Sequence, residues 1–301
     1  MNGIDAAIPV AGESTLNRWT DERVASGRRW RNRLMAGFMG AALAVSVSVV
    51  GLILLYVVKA GLGAMSWEFL TQPPPYSYRL EGGGFVNGLI GTAIMLVFAT
   101  VVSAPMGVMA AVYLAEYGGK GTLAKLIRFF SDVMTGVPSV FVGLFVYTAL
   151  VTSFGFGASM GAIALTIIML PIIIRSSEEM LRLVPRDLKD ASHALGASKS
   201  QTIVRVVLPS AAPGISTGVM LAVARAAGET APLILTILGA QAIVTKLWDE
   251  AIAALPLQIF DGARNPFAAG VERAWAGALE LVVIVLAFTL LARLLASRSR
   301  I

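Results

Sequence analysis

Six apolar stretches divide this chain, at residues 34–58, 86–116, 123–152, 156–174, 211–239 and 275–295. A helix needs about 20 apolar residues to cross the hydrocarbon core of a bilayer. Backbone N–H and C=O groups find no water there, so each segment must satisfy its own, and a helix does so. The short alternating segments of a membrane β-barrel are absent. The predicted fold class is therefore all-α and integral to a membrane, with six transmembrane helices. Interruptions are also legible. Gly136 and Pro138 break the third stretch, while Pro105, Pro171 and Pro213 fall within the second, fourth and fifth. Between the first two, residues 59–85 read as an external loop. It carries Trp67 for the interface, Pro73-Pro74-Pro75 for extended backbone and Gly82-Gly83-Gly84 as a flexible joint. The turn Tyr117-Gly118-Gly119-Lys120-Gly121 follows the second.

The longest polar excursion between spans is residues 175–209, with the coupling region proper at 178–209. Leu181, Val184, Leu188, Ala191 and Leu195 recur in steps of three and four, the spacing of one helical face. Pro185 suits the first turn of a new helix, so a break is expected near Val184 and a short helix from there to about Leu195. Gly196 is placed to end it. Ser198 and Gln201 have capping-box spacing for a second helix, which Pro209 is expected to interrupt. The result is a helix–turn–helix elbow projecting from the membrane.

Composition sharpens this picture. The chain is 56% hydrophobic and 14% charged, with mean hydropathy +0.77, whereas soluble domains carry about 25% charged residues. The 30 glycines suit close helix packing. With no cysteine, disulfides and thiolate metal sites are excluded. His193, the only histidine, has no second ligand near it, so no metal site is expected and it reads as a structural or contact residue. The net charge of +6 is explained by topology rather than by nucleic acid. If both termini face the cytoplasm, 18 of the 24 Lys and Arg lie inside and five outside, with Arg225 in a span. Residues 1–33 are then a basic cytoplasmic tail, 296–301 a cytoplasmic C-terminal tail, and the elbow is cytoplasmic. A signal peptide is not expected, because the first apolar run exceeds the usual length of about 7–15.

The elbow resembles the cytoplasmic signature of permease subunits of bacterial ABC importers: Glu-Ala-Ala, three residues, Gly, nine residues, Ile, any residue, Leu-Pro. Here it reads Asp190-Ala191-Ser192, Gly196, Val206 and Leu208-Pro209, with every spacing kept and with Asp, Ser and Val as the departures. The resemblance implies a type I importer permease (MetI-like) fold, with a five-helix core at 86–295. It also implies that the short helix is a coupling helix docking on an ATP-hydrolysing partner. The chain has no Gly-x-x-x-x-Gly-Lys-Ser/Thr phosphate loop. ATP and Mg are therefore expected in the partner, with no cofactor and no catalysis in this chain.

Charge inside the fifth stretch carries the substrate reading. Arg225 and Glu229 are four residues apart and share a helix face. Each costs about 2.5–3.5 kcal/mol at mid-membrane unless paired or facing water. Pro232 conflicts with the carbonyl of Gly228, so the helix breaks over this stretch, as at transporter substrate sites. A helix start near Thr230 is expected to aim amides at an anion. A bland reading is a buried pair that only joins helices, although such pairs are often no better than apolar packing. The run Arg225-Ala226-Ala227-Gly228-Glu229-Thr230-Ala231-Pro232 resembles that of phosphate importer permeases of the Pst system, and the overall arrangement is most similar to the PstA type. The resemblance implies that Arg225 and Glu229 line the phosphate pathway. Arg175 is a candidate exit-side contact and equally an interfacial anchor. Implied partners are a paralogous permease, an ATPase dimer, an extracytoplasmic phosphate-binding protein and the bacterial cytoplasmic membrane. Competing readings are a permease for phosphonate, molybdate or sulfate, an ion-coupled secondary transporter using Glu229, and a non-transport scaffold.

Overall fold

A computed structural model describes residues 22–119 and 121–298, and within them the protein is mostly helical. The sole β pairing among the described residues is a bridge between Leu238 and Ile252. The chain forms two units, one through Tyr56 and one from Val57 onward. The first unit holds most of α1 (Glu22–Ala64). Its described part differs from the expected boundaries. Residues 22–33 of the basic tail are helical and continuous with the span, and residues 59–64 of the expected loop are helix. Arg18 and the rest of residues 1–21 lie outside the described residues.

The second unit takes in the end of α1 and then α2 (Trp67–Thr71), a turn of helix inside the expected loop 59–85. That loop is held in place rather than free. Gly83 N–H donates to Glu68 Oε1 at 3.0 Å. Arg273, buried, donates to the carbonyls of Leu80, Gly82 and Tyr78. The core spans follow: α3 (Val86–Val112) with a π turn at Tyr113–Tyr117, α4 (Thr122–Gly136), α5 (Ser139–Val146), which continues through a second π turn, and α6 (Ala158–Arg182). The coupling region holds α7 (Arg186–Ala194), α8 (Lys199–Thr202) and a π turn at Ile203–Val207. Then come α9 (Leu208–Ala227), α10 (Ala231–Thr236), α11 (Leu255–Ala263) and α12 (Ala268–Arg298). Among the described residues, five helices are long and apolar enough to cross a membrane, or six if the bent pair α4–α5 counts as one span.

The third span breaks at the expected Gly136–Pro138 interruption into two helices meeting at 107°, because Val137 before Pro138 is held extended at φ −73°, ψ 128°. Two differences from expectation have local causes. The fourth span continues past residue 174 to Arg182, since its polar residues stay in helical register and find ion-pair partners. Pro209 does not interrupt its helix. The π turn before it widens the backbone, with Leu208 N–H reaching Ile203 O, so the missing amide of Pro209 is absorbed. The helix α11 lies in a stretch with no element expected.

The most buried candidate span is α6, packed between α3 and α9 and against α4, α5 and α10. Its core includes Leu165, Met169 and Ile173 with Met95, Leu96 and Ala226. Side chains tie the irregular segment between α10 and α11, and the start of α11, to α3. Asn87 Nδ2 donates to Ala240 O and Gln241 O, Gln258 Nε2 donates to Asn87 Oδ1, and Leu255 N–H donates to Thr92 Oγ1.

Candidate functional site

The break between α9 and α10 organises the site. After Ala227 the chain passes through Gly228 at φ −96°, ψ 0°, and α10 restarts at Ala231. Gly228 N–H closes on Arg225 O and Glu229 N–H on Ala226 O, both at 3.2 Å. Pro232 is buried against α5, where a Cβ on Gly143 would lie 2.7 Å from Pro232 Cα. The break is therefore clamped by a helix from another part of the chain.

On the last turn of α9, Arg225 Nε lies 3.8 Å from Glu229 Oε1. The pair is asymmetric, with the Arg225 side chain 56% exposed and that of Glu229 16%. Arg225 borders a crevice walled by Met134, Thr135 and Val137 at the α4–α5 bend and by Ile168, Pro171 and Ile172 of α6. Its free volume of about 20 Å³ has room for one water. More than half of the Arg225 side chain is open, so a tetrahedral anion can reach it. Part of the expected amide cluster at the start of α10 is missing or already engaged. Pro232 has no N–H, and those of Leu233 and Ile234 both donate to Thr230 O. Thr230 stands at the N-terminus of α10 with no side-chain cap bond.

Arg175 sits within α6 and binds two carboxylates: Nη1 to Asp132 Oδ1 of α4 and Nε to Glu179 Oε1, each at 3.2 Å. All three side chains are more than half exposed.

In the elbow, Pro185 precedes α7 and Gly196 follows it at φ +85°. Ala197 N–H reaches Ser192 O and Gly196 N–H reaches His193 O, the paired bonds of a Schellman end. His193 Nδ1 lies 3.1 Å from Ala197 O. Ser198 and Gln201 form both bonds of the capping box. Ser192 Oγ lies 2.9 Å from Thr202 Oγ1, fastening α7 to α8. The apolar stripe divides in two. Leu181 and Val184 are buried, whereas Leu188, Ala191 and Leu195 are exposed, Leu195 to 90%. Asp190 is exposed beside them, and Leu208 and Pro209 open α9.

Three acidic residues escaped the sequence reading. Glu178, buried, accepts from Arg128 Nε at 2.9 Å and from Arg182. Glu116 accepts from Lys189. Glu280 is buried in α12, and among the described residues its Oε2 has no hydrogen-bond partner. Glu280 was open to detection as the sole acid in 275–295, and Glu178 by its i,i+4 spacing to Arg182. Nothing local marks Arg128 or Lys189 as the partners.

Comparison with known proteins follows the same lines. The family described as "Binding-protein-dependent transport system inner membrane component" matches residues 103–301. "Phosphate transport system permease protein PstA" of Yersinia pestis is 41% identical over 276 residues, covering 91% of this chain and 92% of that protein. The protein of that name from Haemophilus influenzae is 38% identical, covering 89% and 94%. PstA 1 of Mycobacterium tuberculosis is 37% identical, covering 91% and 92%. Among solved structures, an inward-facing MetNI methionine ABC transporter chain aligns with TM-score 0.58 and 18% identity over 72% of this chain and 95% of that one. An amino acid ABC transporter chain aligns with TM-score 0.51 and 18% identity over 71% and 92%. The solved structures share the fold.

Proposed function

This chain belongs to the binding-protein-dependent transport system inner membrane components, and from that premise we infer that it is a PstA-type permease subunit of an ATP-driven phosphate importer. It is a multi-pass membrane protein that provides part of a translocation pathway. The observation that carries the substrate reading is the Arg225–Glu229 pair at the helix break that ends a membrane span, with the Arg225 side chain more than half exposed. A cation at that depth is tolerable only beside water or an anion. A guanidinium fork matches two oxygens of a tetrahedral oxyanion.

The pair alone is neutral, whereas phosphate carries one to two negative charges. In our reading Arg225 contacts the anion and Glu229 orients the guanidinium. Glu229 also accepts a hydrogen bond from a protonated phosphate oxygen, a contact that fully ionised sulfate lacks. The open side of Arg225 is completed by a PstC-type permease, so the pathway runs between the two subunits. A PstS-type binding protein delivers phosphate from outside, and both termini lie in the cytoplasm of a bacterium. A PstB-type ATPase dimer, holding ATP and Mg, docks on α7 through the edge formed by Leu188, Ala191 and Leu195. Exposed apolar side chains on a helix fixed at its other edge suit a protein partner. Movement of α7 then rocks the broken spans between inward- and outward-facing states.

The test is Arg225→Gln in the assembled complex. Phosphate uptake is expected to be lost while the ATPase still copurifies. Full uptake by that variant removes Arg225 from the pathway.

A further inference from the structure

The cytoplasmic end of α3 is a junction whose bonds run in two directions. Its last turn, Tyr113–Tyr117, is a π turn, closed by Gly118 N–H on Tyr113 O at 2.6 Å. Such turns interrupt the regular helix and recur at functional positions. From this turn Glu116 Oε1 accepts Lys189 Nζ of α7, and Glu116 O accepts Lys199 Nζ of α8. The Lys199 ammonium also lies 4.3 Å over the Tyr117 ring. Both helices of the elbow are thus tied to one turn. On the other side, Leu114 O accepts Arg128 Nη2 of α4 at 3.0 Å, and Arg128 Nε is locked on buried Glu178 of α6. Downstream on α4, Met134 and Thr135 wall the crevice of Arg225.

We propose that Glu116 is the positioning residue that couples the elbow to the substrate crevice. A push on α7 reaches the π turn through the Lys189–Glu116 pair, passes to α4 through Arg128, and shifts the wall beside Arg225. The pair suits this task because it is mostly desolvated, with side chains 22% and 11% exposed. An exposed ion pair is loose and screened by salt. A buried one cannot separate without leaving a charge unpaired, so its two helices move together. The surface pair Arg175–Asp132 also joins α4 and α6, but both of its side chains are more than half exposed. The inference rests on the ATP-driven reading above.

The experiment uses the assembled importer in proteoliposomes and reads phosphate taken up per ATP hydrolysed, together with the phosphate concentration for half-maximal uptake. Glu116→Gln keeps the size and the backbone carbonyl and removes the charge. ATP hydrolysis is expected to continue and half-saturation to stay unchanged. Phosphate per ATP falls roughly 2- to 30-fold, the range of coupling changes seen along such networks. Lys189→Met is expected to give the same loss, and the double variant no further loss. A merely structural role would not leave half-saturation intact while lowering the ratio. Wild-type phosphate per ATP in Glu116→Gln, or losses that add in the double variant, overturns the proposal. If Glu116→Gln does not assemble, Lys189→Met decides by the same readouts, and a wild-type ratio there overturns it. Failure of the parent reading is visible separately, as an unmutated complex that takes up phosphate without hydrolysing ATP.

Discussion

Gly143 shows how one absent methyl group sets the position of a charged site elsewhere in the chain. Pro232 Cα and O lie where an added Cβ would sit, at 2.7 and 3.0 Å, and both are backbone atoms of a buried residue. Gly143→Ala is expected to cost about 1–3 kcal/mol by overpacking, read as a lower Tm of the detergent-purified protein. The α9–α10 break should shift with it, so phosphate uptake should fall as well. An unchanged Tm would mean that α5 yields freely. The Arg225–Glu229 pair was legible at this scale, because its spacing is local and its cost in lipid is general. The clamp at Gly143 was not legible, since Pro232 is distant in sequence and only folding makes the two meet.

At the scale of elements, the elbow was read closely from sequence because each signal acts within a few residues. Gly196 at φ +85° ends α7, and a Cβ there would meet nothing within 4 Å. Substitution therefore strains only the backbone. Gly196→Val is expected to destabilise the end of α7 by about 1–2 kcal/mol, seen as faster amide hydrogen exchange across α7. Gly196→Asn should lose less, since Asn tolerates this conformation. Equal exchange in both variants would show that the Schellman end contributes little. The prolines were harder to read. Pro138 redirects its chain by 107° while Pro209 is absorbed by a π turn. Both lack the same amide, and the outcome depends on whether the preceding turn can widen. The helix α11 escaped notice because the cue for it, Leu255 bonding Thr92 on α3, is tertiary.

For the whole molecule, the distribution of Lys and Arg predicts the elbow inside and the segment around Tyr76 outside. The chain has no cysteine, so single cysteines report without background. Leu195→Cys, at a site 90% exposed, is expected to react with an impermeant maleimide only after the cells are opened. Tyr76→Cys, at a site 82% exposed, should react on intact cells. The reverse pattern would invert the topology. The sequence by itself determined the membrane class, the elbow with its caps and the Arg225–Glu229 pair at a helix break. All of these depend on neighbours along the chain and on the cost of polar groups in lipid. Only the tertiary structure decided which charges meet. Arg128 finds Glu178 and Lys189 finds Glu116 because helix crossings and rotations bring them together. It also decided that half of the elbow's apolar stripe stays exposed, since burial depends on which surfaces the rest of the fold supplies.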